Sequence, residues 1–411
     1  MPDLIKKVVI IGGGAAGFFA AITCAQFNPA AKVYLFEKTN KLLAKVRISG
    51  GGRCNVTHAC FNPNELIKFY PRGGKFLKAG FKLFGAADTV EWFTQRGIKI
   101  KIEPDGRMFP VTNDSATVVN CLQQQAQKLG VQINLNTAVS RLEPLQPKGF
   151  LLTLPEGRQL VADQVLISTG GNPKPENYKW LADLGYKINS PVPSLFTFNV
   201  PNSPFKELPG VSVSQAKVKI AGQALDNQGP LLITHWGLSG PAVLKLSAWG
   251  ARTLQELDYQ FQVLLNWAPT FNEDALRAEI INYRQRYPKR VIAVNPMFNL
   301  PQRLWKNITA LAEIPEDKIW AELPAKNQNK LVEQLLRAPL TVKGKTTFKE
   351  EFVTCGGVDL SQVDPHTLES KIHKGLYFAG EVLDIDGVTG GFNFQAAWTT
   401  GYLAGKAMAS T

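Results

Sequence analysis

The sequence predicts an α/β protein with a doubly wound parallel sheet, interrupted by an inserted module of β-strands and helices. Near the N-terminus, the apolar run at 8–12 ends in glycines that lead into a small-residue helix. Near the C-terminus, residues 375–383 return to a short buried strand ended by glycine. Between them the pattern changes to proline-rich, alternating and then helical segments. The simplest arrangement is a sheet that begins at one end of the chain and is completed at the other.

The first elements form a βαβ unit. Residues 8–12, VVIIG, are short, β-branched and ended by glycine, which is typical of a fully buried strand. The helix that follows ends at Phe27, because Asn28-Pro29 stops it. The second strand is KVYLFEK at 32–38. Further strands of the same sheet are expected at 131–136, 150–154 and 164–171.

The composition of the chain changes at about residue 190, where the sequence becomes proline-rich and its pattern predicts an extended backbone. The alternation at 211–222 predicts antiparallel strands, and helical segments with tryptophans and charges follow. We expect a sheet domain in two parts, residues 1–192 and 346–411, around an insert at 193–345. The insert would be β-rich over 193–270 and helical over 271–338.

Composition excludes several classes of protein. The 411 residues are 45% apolar and 19% charged, as in ordinary globular proteins. No apolar run reaches the length of about 18 residues that a membrane span needs, and the N-terminus does not resemble a signal peptide. Five scattered cysteines indicate reduced thiols in the cytoplasm rather than a disulfide framework. No Cys/His spacing resembles a zinc site, so we expect no metal. Because no apolar run is long enough to span a membrane, we also expect no membrane partner.

Positive charge is concentrated in the first quarter of the chain. The net charge is +13, and residues 1–110 hold 17 Lys and Arg against seven Asp and Glu. Within them, 68–84 alternates basic and aromatic residues, as a nucleic-acid surface does. An amphipathic helix is the favoured interpretation, which leaves nucleic acid as the less favoured partner. Its buried face would carry Leu77, Phe81 and Phe84, and its exposed face Lys75, Lys78 and Lys82.

Gly12, Gly14 and Gly17 form a G-x-G-x-x-G motif between the first strand and the first helix, and Glu37 ends the next strand. In this motif the first glycine makes a tight turn, the second lets the backbone approach a pyrophosphate, and the third lets the helix pack closely. The helix N-terminus offers N–H donors and positive potential to the phosphates. Glu37 would accept hydrogen bonds from an adenosine ribose. The pattern predicts a dinucleotide site.

FAD is favoured over NAD, because the motif lies at the start of the chain and a second glycine-rich segment lies near its end. Gly380 and Glu381 would meet the ribityl and pyrophosphate part of FAD. Gly390 and Gly391 would open a helix whose N-terminal donors face the flavin pyrimidine. The same segment carries Asn393 and Gln395.

Five blocks of the sequence, in order, resemble the BaiN/YhiN family of FAD-binding oxidoreductases. The blocks are KVVIIGGGAAG, ISGGGRCNVTH, DGRMFPVTNDSATVV, THWGLSGPAVLKLS and GLYFAGEVLDIDGVTGGFNFQAAW. The resemblance implies a Rossmann-like FAD-binding domain of the glutathione-reductase type and an insert made of a β-barrel plus helices. It also implies NAD(P)H-dependent reduction of a small molecule. Lys45-Val46-Arg47 departs from the commoner lysine and two aliphatic residues, which adds a positive charge.

The motif and these blocks together define the expected FAD site. ISTGG at 167–171 is expected to pass close to the cofactor, and glycines 50–52 to allow close backbone approach to the flavin. The residues predicted to bind FAD are Gly12, Gly14, Ala15, Ala16, Gly17, Glu37, Lys38, Gly51, Gly52, Arg53, Cys54, Asn55, Val139, Thr169, Gly170, Gly380, Glu381, Gly390, Gly391, Asn393 and Gln395.

Cys54 admits two interpretations. Disulfide oxidoreductases of this superfamily place a partner cysteine five residues after the first, whereas Cys60 lies six residues on, with Ala59 at the matching position. One residue changes the helix face that a thiol occupies. A packed or flavin-proximal free thiol is therefore favoured over a flavin-coupled dithiol.

The block THWGLSGPAVLKLS at 234–247 carries the catalytic candidates, His235 and Ser239. In one interpretation they contact the substrate over the flavin, with His235 as proton donor. In the other, Ser239 merely caps a helix that begins at Pro241. Of the tryptophans, Trp236 and Trp398 are expected in the core.

The sequence thus predicts a cytoplasmic FAD oxidoreductase that passes a hydride to an unsaturated or carbonyl-type small molecule. No second G-x-G-x-x-G is present, so NADH or NADPH would visit the substrate pocket transiently as donor. Two alternatives stay open: a flavin-dependent RNA-modifying enzyme, and a non-catalytic flavin-binding or redox-sensing protein.

Overall fold

A computed structural model describes residues 5–346 and 353–410. The chain divides into two compact units. Within the described residues, the first unit comprises 5–193 and 353–410, and the second comprises 194–346. The first unit is therefore built from both ends of the chain.

A five-stranded sheet forms the centre of the first unit. Its strands, in spatial order, are Leu376–Phe378, Gln164–Ile167, Lys7–Ile11, Lys32–Phe36 and Gln132–Asn134. All neighbouring pairs are parallel, and Val9 lies between Val165 and Tyr34. The first strand is central, and the order runs outward from it in both directions. This confirms the predicted doubly wound α/β fold.

Two small-residue helices pack against each other in this unit. Helix Ala15–Phe27 follows the first strand, and helix Phe392–Ser410 ends the described chain. A Cβ at Gly401 would lie 2.6 Å from the Ala16 carbonyl oxygen, and one at Gly405 would lie 2.5 Å from the Ala20 carbonyl oxygen. Only glycine permits so close an approach. The small-residue composition of the C-terminal segment therefore allows the two backbones to touch.

The prediction for residues 150–154 is wrong, because this segment does not join the parallel sheet. Arg141–Pro144, Phe150–Thr153 and Gln159–Ala162 form a separate antiparallel sheet. The loops between them are too short for a parallel crossover, which needs a dozen or more residues. Short connections therefore force antiparallel pairing.

The amphipathic interpretation of 68–84 is confirmed. Helix Gly74–Leu83 buries Leu77 and Phe81, and Phe84 at its end is also buried. Lys75 and Lys82 are exposed and Lys78 is half-buried. The remaining α-helices of this unit are Ala44–Gly52, Pro63–Leu66, Ala86–Thr94, Ala116–Lys128 and Lys179–Asp183. Its other strands are Thr57–His58, Ile100–Ile102, Arg107–Pro110, Ile188–Ser194 and Val353–Val358.

The second unit combines an antiparallel sheet with helices. The seven strands, in spatial order, are Ala338–Lys343, Gln260–Asn266, Ser212–Ile220, Asp226–Ile233, Gly237–Ser239, Thr197–Asn199 and Lys345–Thr346. The α-helices are Pro241–Trp249, Ala251–Glu256, Glu273–Arg286, Gln302–Leu311 and Ala325–Arg337. Trp267, Trp305 and Trp320 are fully buried in its core. Among the described residues of either unit, no helix is long and apolar enough to cross a membrane.

Candidate functional site

Two of the predicted cofactor residues, Gly12 and Glu37, lie at one edge of the parallel sheet. Gly12 directly follows the first strand and Glu37 directly follows the second. Ser168 and Ala379 directly follow two other strands of the sheet. The carboxyl ends of parallel strands lie at the same edge, and open α/β sheets bind ligands there. The first unit therefore presents a ligand-binding edge where the motif requires one.

The glycine turn has the geometry that its three glycines imply. Gly12 has φ +116°, and a Cβ there would lie 2.3 Å from the Ser168 carbonyl oxygen. A Cβ at Gly17 would lie 2.0 Å from the Gly12 carbonyl oxygen. At Gly14, by contrast, a Cβ would meet no described protein atom within 4 Å. Gly12 and Gly17 are required by packing inside the protein, whereas Gly14 faces open space.

The N-terminus of helix Ala15–Phe27 fits a pyrophosphate. No side chain of the described residues caps this helix, and its first turn carries no acidic residue. The N–H groups of Ala15, Ala16 and Gly17 have no acceptor among the described residues, and the first intrahelical bond runs from Phe18 to Gly14. Such unpaired donors, together with the positive end of the helix dipole, favour a bound anion.

Glu37 is fixed beside the glycine turn. Its Oε2 accepts a hydrogen bond of 2.9 Å from the Gly13 N–H. Its Oε1 accepts bonds of 2.9 Å from the N–H and the hydroxyl of Thr39. A carboxylate has about four acceptor positions, so one stays available for a ribose hydroxyl. Lys38 is exposed next to it.

The segment after Lys45 passes through three left-handed glycines. Gly50, Gly51 and Gly52 have φ of +60°, +69° and +83°, and a Cβ at Gly51 or Gly52 would meet no described atom within 4 Å. Arg53, which follows, is bound by neighbouring side chains: its Nη1 lies 2.7 Å from Glu103 Oε1 and its guanidinium lies 4.0 Å from the centre of the Phe109 ring. The glycines are open toward a ligand, whereas the arginine side chain stabilises the segment.

Asn55 joins this segment to the second glycine-rich segment. The side chain is buried, and with its amide oriented to satisfy both ends it accepts from the Gly391 N–H at 2.9 Å and donates to the Thr57 carbonyl at 3.0 Å. A Cβ at Gly391 would lie 2.6 Å from the Thr57 carbonyl oxygen. His58, which the sequence analysis did not select, places Nδ1 3.1 Å from the Gly390 carbonyl oxygen.

The loop before helix Phe392–Ser410 is fixed from several sides. Asn393 bonds to both the N–H and the carbonyl of Gly387, at 2.8 and 2.9 Å. Arg72 forms an ion pair with Asp386, which is fully buried. The N–H groups of Phe392, Asn393 and Phe394 have no acceptor among the described residues. The helix therefore presents free donors, as the prediction for the flavin requires.

Glu381 and the residues after the strand Gln164–Ile167 complete the set. Glu381 pairs with Lys45 at 2.7 Å and accepts from the Thr354 N–H at 2.8 Å. Thr169 is exposed, and a Cβ at Gly170 would meet no described atom within 4 Å. A Cβ at Gly380 would lie 2.9 Å from the Ala16 Cβ, so this strand end lies against the first helix. Val139 is half-buried in a loop.

The structure corrects the prediction for the Gln395 side chain. It is fully buried, and its Oε1 accepts from the hydroxyls of Thr57 at 2.6 Å and Thr89 at 3.0 Å. Its Nε2 donates to the Thr399 hydroxyl at 3.1 Å. Buried amides bond to nearby protein groups when these are available. The side chain therefore holds the C-terminal helix in place and is not presented to a ligand.

The structure favours a free thiol at Cys54 over a dithiol with Cys60. Both are free cysteines, and Cys54 is fully buried. Burial raises the pKa of the Cys54 thiol to about 12, and it also raises the pKa of Cys60. Thiol–disulfide chemistry needs the thiolate, which burial disfavours at both positions. Cys54 is therefore a packed free thiol, which agrees with the interpretation that the sequence favours.

Two expectations for the second unit are also wrong. The N-cap of helix Pro241–Trp249 is Gly240, with φ +93°, and Ser239 instead ends a strand. Trp236 is 37% exposed, and its Nε1 donates to the Thr197 hydroxyl at 3.1 Å. His235 is exposed beside it. In the first unit Trp398 is buried, as expected, and its Nε1 donates to the Val56 carbonyl at 2.9 Å.

Comparison with known proteins decides the family. The profile of the HI0933-like protein Rossmann domain matches residues 6–407. The chain belongs to this family. The predicted family is therefore confirmed, and with it the assignment as an FAD-dependent oxidoreductase whose cofactor is FAD.

Two curated relatives match almost the whole chain. The 3-dehydro-bile acid Δ(4,6)-reductase of Clostridium scindens is 28% identical over 413 aligned residues, covering 98% of this chain and 99% of the relative. The ribosomal RNA dihydrouridine synthase of Haemophilus influenzae is 29% identical over 406 residues, covering 96% of each chain.

Solved structures agree at the level of the fold. A 3-ketosteroid-Δ4-(5α)-dehydrogenase from Rhodococcus jostii has a TM-score of 0.52 and 13% identity, covering 100% of this chain and 98% of that one. A flavocytochrome c3 fumarate reductase has a TM-score of 0.51 and 15% identity, covering 100% of this chain and 79% of that one. At such low identity the likeness supports the fold alone.

Proposed function

We propose that this FAD-dependent oxidoreductase reduces a carbon–carbon double bond conjugated to a carbonyl group, with NADH or NADPH as the donor. The observation that carries the FAD site is the pair of helix N-termini, at Ala15–Gly17 and Phe392–Phe394, whose N–H groups have no acceptor among the described residues. Both helices belong to the first unit. One N-terminus suits a pyrophosphate, and the other suits the carbonyl oxygens of a flavin.

The substrate class follows from what the two curated relatives have in common. By name, one reduces double bonds at positions 4 and 6 of a 3-dehydro-bile acid, which are conjugated to the 3-carbonyl. The other makes dihydrouridine, which is uridine with the double bond next to its 4-carbonyl reduced. The shared chemistry is hydride addition to a conjugated double bond. A carbonyl polarises that bond, so the carbon farther from it accepts hydride.

The chain's own residues would bind and orient the cofactor. FAD supplies the hydride-transfer chemistry when it is bound. The N–H groups of Ala15–Gly17 would hold the pyrophosphate and Glu37 a ribose hydroxyl. The positive end of helix Phe392–Ser410 would favour negative charge on the bound flavin. The carbon next to the substrate carbonyl also takes up a proton, which a general acid would donate.

A reoxidation experiment tests the substrate class. The holoprotein is reduced anaerobically and mixed with a 3-oxo-Δ4,6-steroid, with an oligonucleotide containing uridine, or with a saturated analogue of each. We expect reoxidation of the flavin by one unsaturated compound, with the matching dihydro product found by mass spectrometry. The saturated analogues are the matched controls. A flavin that stays reduced with every conjugated compound would contradict the proposal.

A further inference from the structure

The second unit carries a basic surface that is not part of the candidate FAD site. Residues 280–312 contain no Asp or Glu. The same stretch contains six basic residues, which are Arg284, Arg286, Lys289, Arg290, Arg303 and Lys306. Four of these fall within seven positions, at the end of helix Glu273–Arg286 and in the turn after it. Aromatic residues alternate with them there, at positions 283 and 287.

The tyrosine and arginine side chains at this helix end lie against one another. The Arg290 guanidinium lies 3.8 Å from the centre of the Tyr287 ring, and the Arg286 guanidinium lies 5.4 Å from it. The Tyr283 and Tyr287 ring centres are 4.8 Å apart. Arg290 Nη1 also donates to the Tyr283 hydroxyl at 3.3 Å. We call Tyr283, Arg286, Tyr287, Lys289 and Arg290 the Tyr287 surface.

Three cations of the Tyr287 surface form no ion pair with any described residue. Arg286, Lys289 and Arg290 are all exposed. Nearby basic residues are used differently. Arg277 pairs with Glu273 at 2.7 Å, and Arg284 donates to the carbonyls of Ala321 and Leu323. These two arginines are therefore bound within the protein, whereas the three cations of the Tyr287 surface face solvent.

The helix dipole accounts for only part of this charge. A cation in the last turn, such as Arg286, is favoured by the negative C-terminal end of the helix. Lys289 and Arg290 lie beyond that end. The turn that carries them is fixed, because the Trp320 N–H donates to the Arg290 carbonyl at 3.1 Å and the Arg290 N–H donates to the Tyr287 carbonyl at 3.1 Å. The cations are presented on an ordered backbone.

We infer that the Tyr287 surface docks single-stranded RNA. Bases of single-stranded RNA stack on aromatic rings and on arginine guanidinium planes. Arg290, stacked on Tyr287, offers such a plane, while Arg286 and Lys289 are placed to bind phosphates. The inference rests on the proposed function in one respect: it names a uracil base in RNA as the conjugated substrate. The docking itself requires no flavin chemistry.

The test compares two triple variants with the same loss of charge. Arg286→Gln/Lys289→Gln/Arg290→Gln removes the cations of the Tyr287 surface. Lys75→Gln/Lys78→Gln/Lys82→Gln removes three cations from helix Gly74–Leu83 in the first unit. Binding of a labelled single-stranded oligouridylate to the holoprotein is titrated over a series of salt concentrations. We expect the first variant to lose affinity roughly tenfold or more, and the slope of log K against log salt to shrink by about 1.4, at about 0.7 for each of the two phosphate contacts assigned to Arg286 and Lys289.

Further variants separate stacking from charge. Tyr287→Leu keeps all three cations and should weaken oligouridylate binding, while leaving binding to heparin, which has no bases, unchanged. The Lys75/Lys78/Lys82 variant should bind oligouridylate as the wild type does. Equal losses in the two triple variants would overturn the inference, as would a Tyr287→Leu variant with wild-type affinity. Reduction of the flavin by NADH or NADPH, followed in every variant, tests the proposed function separately from docking.

Discussion

At the scale of single residues, Glu37 is the acid that we propose to bind the cofactor. Its carboxylate holds Gly13 and Thr39 through three hydrogen bonds of 2.9 Å. It thereby shapes the glycine turn and still keeps an acceptor position for a ribose. The position of this acid was predictable from the sequence, because it directly follows the strand next to the turn. Its bonds to Thr39 were not, since they depend on the local path of the chain after Glu37.

We predict that Glu37→Gln weakens FAD binding roughly tenfold to hundredfold. The amide replaces a charged acceptor, and a hydrogen bond to a charged group contributes about 1.5–3 kcal/mol. Fluorescence titration of the apoprotein with FAD measures the change. Thr39→Val is the matched control: it removes one hydrogen bond to Glu37 and leaves the carboxylate, so its effect should be smaller. Wild-type affinity in Glu37→Gln would show that this acid does not contact the cofactor.

Cys54 gives a prediction on pH dependence. Burial raises the pKa of its thiol from 9.0 to about 12, so the unfolded chain releases this proton first as the pH rises. Its contribution to folding stability is therefore intact below about pH 9 and is lost between about pH 9 and pH 12. Each such thiol lowers the free energy of unfolding by at most about 1.4 kcal/mol per pH unit in that range.

Urea denaturation near pH 7 and near pH 10 measures this effect. The free energy of unfolding should fall less between these pH values in Cys54→Ala than in the wild type, because the variant lacks the contribution of this thiol. In the native protein near neutral pH, an alkylating reagent should leave Cys54 unmodified while it labels Cys60, which is half-buried. Rapid labelling of Cys54 under native conditions would contradict its placement.

At the scale of elements, the glycine turn separates a packing role from a binding role. A Cβ at Gly17 would lie 2.0 Å from the Gly12 carbonyl, whereas one at Gly14 would meet no described atom within 4 Å. Gly14 has φ −89°, which alanine adopts without strain. The motif itself predicts this difference, because its second glycine lets the backbone approach a pyrophosphate and its third lets the helix pack closely.

We predict opposite results for two alanine variants of this turn. Gly14→Ala should leave the stability of the apoprotein unchanged to within about 0.5 kcal/mol and lower the FAD affinity roughly tenfold or more. Gly17→Ala should destabilise the apoprotein by about 1–3 kcal/mol. Chemical denaturation of the apoprotein and titration with FAD distinguish the two. If Gly14→Ala binds FAD as tightly as the wild type, the cofactor does not approach this part of the turn.

The loop before the C-terminal helix depends on a buried ion pair. Asp386 is fully buried and its partner is Arg72. Arg72→Met should destabilise the protein by about 3–5 kcal/mol, because it leaves a buried charge without its partner. The double variant Arg72→Met/Asp386→Leu should recover most of that loss. Urea denaturation of the three proteins checks this, and a single variant as stable as the wild type would contradict it.

Sequence reasoning succeeded for these elements where local pattern and fold agree. The βαβ unit has β-branched strands, a glycine turn and a proline stop, which all indicate the same structure. Prediction from the sequence failed where tertiary contacts determine the strand pairing or the partners of a side chain. Residues 150–154 look like a buried strand, but their short loops commit them to a separate sheet. Gln395 lies in the predicted segment, yet threonines from two other elements and its own helix bind its amide.

At the scale of the whole molecule, the two units carry different candidate sites. The first unit holds the sheet edge and the two free helix N-termini. The second carries the Tyr287 surface, which the sequence analysis missed. Composition pointed to the first quarter of the chain, where most of the excess charge lies. Several of those cations are paired, as Arg53 is with Glu103 and Arg72 with Asp386. Net charge along the sequence therefore did not point to the Tyr287 surface.

The most direct measurement is an anaerobic visible absorption spectrum of the purified protein, before and after NADH and then NADPH are added. The account predicts a flavin band, with about one FAD released per chain on denaturation, that bleaches with at least one donor. A band that bleaches with neither donor would contradict NAD(P)H dependence. Absence of the band, even after incubation with FAD, would contradict the central claim that the first unit binds this cofactor.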